Sequence, residues 1–317
     1  MMRWSIWFLG MLCAVAAGAR ATDKDVAAKP MLGHYITESS IVYPLEVDGW
    51  SAGEEHRYEL AELGASVAFS DAAHEQRWMT VYFYPAGPVL DEGVKRLAEQ
   101  TLEEIAGMTR TANGYDRVDI QPVHEFVFDI GEGESKRALK AFSTSISFEK
   151  HGKRYSSAMV LLVRDLYYVK TRLSMPEDEM DADGVRTLLE RQTAGLVRAS
   201  AFYSTGGCWN PMPIVARERL DPKATGVVAK SEVDGRVVAI AYADRVEALS
   251  EKDAGSRVLQ RVASNLTGRW PFGCYPPEEL APQVPKGMRE LRFEYPPPRD
   301  GSDGTTPPIR QRRSGRG

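Results

Sequence analysis

Between residues 117 and 174 the chain runs through four consecutive strand-like stretches with little helical signal between them: Arg117 to Asp129, Leu139 to Glu149, Arg154 to Arg164 and Tyr167 to Ser174. The break at His151-Gly152 reads as a hairpin turn, and a second tight turn leads into Tyr167. Earlier, Trp78, Thr80, Tyr82 and Tyr84 alternate with Met79, Val81 and Phe83, and Pro85 ends the run. Both sets are largely apolar or aromatic, which predicts a central strand covered on both faces. His56 to Leu60 and Ala65 to Ser70 are shorter strand candidates separated by Gly64. Runs of strands with few helices predict an α+β fold, a mostly antiparallel sheet packed by two long helices.

The two helices announce themselves by spacing. Over residues 91–107, Asp91 offers an N-cap, and Val94, Leu97, Ala98, Leu102 and Ile105 fall on one stripe. Over 181–203, Val185, Leu188, Leu189, Gln192, Leu196, Ala199 and Phe202 do the same. Glu177, Asp178, Glu179, Asp181 and Asp183 sit at the positive end of that second helix. The helices can lie on opposite faces of one sheet or share a face.

Gly206-Gly207 and the pair Pro211/Pro213 mark a boundary between a main α+β domain, residues 40–205, and a smaller α+β unit, residues 206–295. In the smaller unit Asp234-Gly235 joins two strands as a hairpin, and a helix from Asp253 to Leu266 is expected to bury Val258, Leu259 and Val262. Leu291 to Tyr295 supplies a last strand for either sheet. Residues 296–317 are rich in Pro, Gly and Arg and have nothing to bury, which predicts a disordered basic tail. Its Arg310, Arg312, Arg313 and Arg316 are the residues through which an envelope protein or anionic surface would be engaged.

The N-terminus bears on compartment. Arg3, the uncharged apolar run Ile6 to Ala17, and Ala19-Arg20-Ala21 have the arrangement of a cleavable signal peptide over residues 1–21, followed by a leader over 22–39. Cleavage would remove Arg3 and Arg20, taking the basic residues from 40 to 38 against 44 acids. That balance does not suit general nucleic-acid binding. A periplasmic or secreted location follows, with no transmembrane span left after cleavage. In an oxidising compartment Cys208 and Cys274 read first as a disulfide.

Motifs for chemistry are sparse. Thr205-Gly206-Gly207-Cys208-Trp209 resembles the Cys-Trp nucleophile segment of papain-like proteases, but no histidine follows it. His34, His56, His74, His124 and His151 show no ligand spacing, and Asp71 with His74 falls short of the three or four ligands a zinc site needs. Gly131-Glu132-Gly133-Glu134 is Gly-rich but acidic and reads as a turn, and Glu103-Glu104 fits a solvated helix face. Asn265-Leu266-Thr267 has the form of a glycosylation sequon. No catalytic, metal or cofactor-binding residue is assigned. Trp50, Tyr58, Trp78, Tyr82, Tyr84, Tyr167 and Tyr168 lie in or near strands, where they either pack the sheet or line a ligand groove.

Across residues 40–205 the order of elements resembles the PsbP/DcrB group of exported α/β/α proteins. It comprises short opening strands, Trp78-Met79-Thr80-Val81-Tyr82-Phe83-Tyr84 leading into the Asp91 helix, strands around Arg154 to Ser174, and the closing helix around Leu188. The resemblance implies a non-catalytic binding or envelope-accessory role. The alternatives are an extracytoplasmic hydrolase whose site assembles only in three dimensions, and a structural envelope module working through its basic tail.

Overall fold

The computed structural model describes residues 31–107, 115–252 and 254–297. The segment expected to be a signal peptide, the first part of the expected leader, and the tail from residue 298 with its arginines lie outside the described residues. In chain order the elements are β1 (Glu38–Pro44), β2 (Glu46–Val47), β3 (Trp50–Arg57), β4 (Ala65–Asp71), β5 (Trp78–Pro85), α1 (Asp91–Gly107), β6 (Arg117–Ile120), β7 (His124–Ile130), β8 (Arg137–Lys150), β9 (Lys153–Arg164) and β10 (Tyr167–Pro176). There follow α2 (Ala182–Ala199), β11 (Ala201–Thr205), β12 (Ile214–Ala216), β13 (Ala229–Val233), β14 (Arg236–Ala241), β15 (Val246–Ala248), α3 (Ala254–Leu266) and β16 (Met288–Glu294). The result is an α+β protein dominated by antiparallel sheet.

A nine-stranded sheet in the order β2-β3-β4-β5-β10-β9-β8-β6, with β7 also on β8, forms the body. Its pairings are all antiparallel. The β8–β9 hairpin turns on His151 and Gly152, both at positive φ (51° and 72°), the backbone that a two-residue turn matched to strand twist requires. The stretch Arg117 to Asp129, read from sequence as one strand, is two. Pro122 cannot donate to the ladder, so β6 and β7 pair with opposite ends of β8 and the chain steps between them.

The two faces of this sheet are covered differently. On one, α1 seats Val94, Ala98, Leu102 and Ile105 against Phe142, Ile146 and Phe148 of β8 and Met159 and Leu161 of β9. On the other lie α2 and a three-stranded sheet in the order β11-β1-β16, closing a core of Met79, Val81, Phe83, Val160, Leu162, Tyr167, Val185, Leu189, Ile41 and Leu291. The helices therefore take opposite faces. The leader assignment ends early: Ile36 is fully buried and β1 begins at Glu38, because this segment pairs on both edges and its alternate residues reach the core.

The expected unit over residues 206–295 is divided. β12 to β15 form a four-stranded sheet, its β12–β15 pair parallel, with α3 on one face and a small core of its own. β16 instead returns to β1, pairing along seven residues, because Leu291 and Phe293 alternate toward the main core and Tyr295 continues that face. There the Tyr167 and Tyr295 hydroxyls meet at 2.7 Å. In α3 Leu259 is buried as expected, but Val258 and Val262 face water. The sheet beneath presents Ala239, Ala241 and Ala248, so the helix seats its small side, Ser256 and Ala263, closely upon it and turns the valines outward.

Candidate functional site on the open half of the large sheet

Alternation along β5 sends Met79, Val81 and Phe83 into the core, at 1%, 0% and 0% exposure. Trp78, Thr80, Tyr82 and Tyr84 point the other way. The expectation that this second face is also covered holds in part. A helix is only about 10 Å wide, and among the described residues α1 packs chiefly over β6, β8 and β9, with Tyr84 and Tyr168 at the edge of its apolar cluster, so the β4–β5–β10 half of the face is less fully covered. Trp78 is 41% exposed, and Thr80, Tyr82, Tyr84 and Tyr168 are half-buried among their neighbours.

Strand register sets what stands beside these rings. Tyr84 opposes Tyr168, Tyr82 opposes Lys170, and Thr80 opposes Arg172. On the far side β4 contributes only Ser66, Ala68 and Ser70, so the tyrosines rise above a low step. The Tyr84 and Tyr168 ring centres are 5.1 Å apart. Lys170 Nζ sits 4.6 Å from the centre of the Tyr82 ring, within range of a cation–π attraction. Arg172 Nη2 donates to the Tyr115 hydroxyl at 2.8 Å. Tyr115 in turn packs on Phe148, Phe148 stacks on Tyr155, and Trp78 meets Tyr155 edge-on at 5.8 Å. Burial raises the Tyr82 phenol above the usual tyrosine range while Arg172 pulls it down, so Tyr82 stays a neutral hydrogen-bonding group at physiological pH. This surface offers flat apolar ring faces, phenolic hydroxyls and two fixed cations.

Of the seven aromatics singled out from sequence, the fold brings Tyr58, Trp78, Tyr82, Tyr84 and Tyr168 to or beside this face, with the Tyr58 hydroxyl 3.4 Å from Ser66 Oγ. Trp50 and Tyr167 belong to the opposite core, where burial lifts the Tyr167 phenol to about 12. Sequence reasoning missed Lys170, Arg172 and Tyr115. The signal for the two cations was their alternation with Val169, Thr171 and Leu173 on β10.

A Ser, a His and carboxylates do converge elsewhere, between β8 and α2. Ser143 Oγ donates to Glu190 Oε1 at 2.6 Å, as does Arg186 Nη1 at 2.7 Å, and Ser145 Oγ donates to Asp183 Oδ1 at 2.6 Å. His124 Nδ1 lies 3.3 Å from Glu190 Oε1 and 3.5 Å from Ser143 Oγ. A Ser–His–acid relay needs the imidazole between the other two, one nitrogen to each. Here serine bonds the carboxylate directly and is 1% exposed. The cluster latches α2 to the sheet. Beside it a notch of about 160 Å³ is lined by Asp119, Gln121, Ser145, Ser147, Asp181 and Asp183. Asp181 is committed as the α2 N-cap, accepting from Gly184 N at 2.7 Å.

The remaining candidates are dispersed. Cys208 and Cys274 are at bonding distance, with Cα atoms 5.9 Å apart. His34 lines a shallow cavity of about 360 Å³ with Met31, Tyr35, Pro88 and Gly207. His56 stands edge-on to Tyr58, His74 bonds Asp71, and His151 occupies the β8–β9 turn. Among the described residues no three His, Cys, Asp or Glu side chains are placed to hold a metal, and no helix is long and apolar enough to cross a membrane.

No family model matches the chain, and no curated protein matches it. Among solved structures the chain is similar to LpqN of Mycobacterium tuberculosis, a protein involved in cell envelope biogenesis. The identity is 12%, over 53% of this chain and 92% of that one, with a TM-score of 0.28.

Proposed function

We propose that this chain is an exported, non-catalytic binding protein of the cell envelope that seats its ligand on the tyrosine-lined half of the large sheet. One observation carries the reading: among the described residues α1 packs chiefly over β6, β8 and β9, and Trp78, Tyr82, Tyr84 and Tyr168 stand beside Lys170 and Arg172 on the rest of that face. Aromatic side chains with an apolar body and a polar tip are the natural platform for a ligand that is flat on one face and hydroxylated at its edge. The two cations add a preference for an acidic substituent. A sugar ring bearing a carboxylate or phosphate meets each of these demands. Export is supported by the signal-peptide pattern of residues 1–21 and by the two cysteines at bonding distance, since such crosslinks persist in oxidising compartments. The resemblance to the PsbP/DcrB group read from the sequence would imply an accessory role.

The test is a backbone-amide NMR titration of the protein with two soluble probes, an oligogalacturonate and a neutral cello-oligosaccharide of equal length. The expected result is saturable shifts confined to β4, β5 and β10, larger for the acidic probe. Tyr82→Ala and Arg172→Gln are expected to weaken binding by about tenfold each, the range of a central aromatic or arginine contact, with circular dichroism checking that both variants fold. Shifts mapping instead to the Ser143–Glu190 seam, or turnover of either probe, would displace this reading.

A further inference from the structure

A second surface, on a different element from the tyrosine-lined face, belongs to α3. The helix turns Ser256, Leu259, Ala263 and Ser264 inward. Val258, Val262 and Leu266, spaced four apart, stand 61%, 43% and 66% exposed. One exposed aliphatic side chain means little. Three in a file, on a helix that buries two serines, reverse the usual partition and mark an interaction face. Arg257 and Arg261 run along one flank of the file, and the thirteen-residue helix contains no acid. From residue 251 to 269 the sequence holds Lys252, Arg257, Arg261 and Arg269 against Glu251 and Asp253, in a chain whose acids outnumber its bases 44 to 40. Arg261 meets Glu279 at 3.3 Å, an exposed pair of little strength in water. Arg257 makes no ion pair among the described residues.

Local positive charge beside an apolar file, on an otherwise acidic protein, selects the occupant. Pairing with a second copy would set like guanidinium groups together. An anionic bilayer surface instead takes the aliphatic file into its acyl boundary and the arginines at its phosphates. We propose that α3 docks this protein on anionic phospholipid through Val258, Val262 and Leu266, with Arg257 and Arg261 against the headgroups.

The chain lacking residues 1–21 is mixed with sedimenting vesicles of phosphatidylglycerol and phosphatidylcholine in equal parts, and with vesicles of phosphatidylcholine alone. Co-sedimentation is expected with the first and not the second, weakening as salt rises. Val258→Ser/Val262→Ser/Leu266→Ser is expected to cut the apparent partition constant by at least about tenfold. Arg257→Glu/Arg261→Glu, which keeps the apolar file, is expected to do the same, and circular dichroism checks that both variants fold. Removing residues 298–317 is expected to leave binding in place, separating α3 from the basic tail. Failure of the parent to bind the anionic vesicles, undiminished binding by the charge-reversed variant, or loss of binding on tail removal alone overturns the proposal. So does a dimer in solution that the serine variant dissociates without any effect on lipid.

Discussion

Asp71 ends β4 and accepts hydrogen bonds from the Ala73 amide at 2.9 Å and from the His74 ring at 2.7 Å, with Arg77 3.6 Å away. Burial pushes its carboxyl up, but the His74 and Ala73 hydrogen bonds and the charges of His74 and Arg77 outweigh it and hold the group below the usual range. A carboxyl depressed on folding stabilises the native state above the unfolded value, about pH 3.9, and loses that contribution as pH falls through the folded value. The gap in melting temperature between the parent and Asp71→Asn is therefore expected to be widest above about pH 5 and to close toward pH 2–3. A constant gap across that range would show that the charge does not contribute. At this scale the sequence was informative about residue type and poor about surroundings. Period-two alternation correctly separated Tyr82 and Tyr84 from Val81 and Phe83. Nothing in the pattern said which set would be covered, because that depends on how far α1 reaches across the sheet.

Elements whose signals are local were legible. The Asp91–Gly107 helix follows its apolar spacing, and the turns at His151-Gly152 and Asp234-Gly235 follow the need for positive φ at two successive positions. The start of α2 was readable for the same reason, since the Asp181 side chain caps the Gly184 amide three residues on. Asp181→Ala is expected to lower stability by about 1 kcal/mol, read from urea unfolding. It should also loosen the Asp183 and Arg186 contacts to β8, seen as faster amide exchange at Ser145. An unchanged urea midpoint would mean that the cap is redundant. Three elements were misread for reasons of context. The helix expected over 181–203 ends at Ala199, and Phe202 stands instead in β11, opposite Ile41 of β1. Pro122 divides one expected strand because β8 is long enough to accept β6 and β7 in series. α3 shows its valines to water because its partner sheet is surfaced with alanine, and helical period alone does not say which side of a helix meets which surface.

Among the described residues the molecule is closed by contacts between its first and last strands. β1 is the middle strand of β11-β1-β16, so the first and last described strands lie side by side. Cys208, after β11, and Cys274, after α3, span a separation of 66 residues, and the Trp209 and Trp270 rings stack at 3.9 Å near the same crossing. A loop of that length is worth roughly 2–4 kcal/mol through restriction of the unfolded chain. Cys208→Ser/Cys274→Ser is expected to lose about that much in urea unfolding, as is the parent under reductant, with no further loss when reductant is added to the variant. Equal stability of parent and variant would show that packing alone holds the crossing. By itself the sequence determined the sheet-rich class, the place of α1, the start of α2 and the hairpin turns, because each rests on neighbours in the chain or on composition. Only the tertiary structure decided that β16 returns to β1, that α1 leaves half a face of tyrosines less fully covered, and that Lys170 and Arg172 stand among them. Those outcomes depend on which surfaces remain unpaired once the sheet is assembled, a competition between distant segments that no local period records.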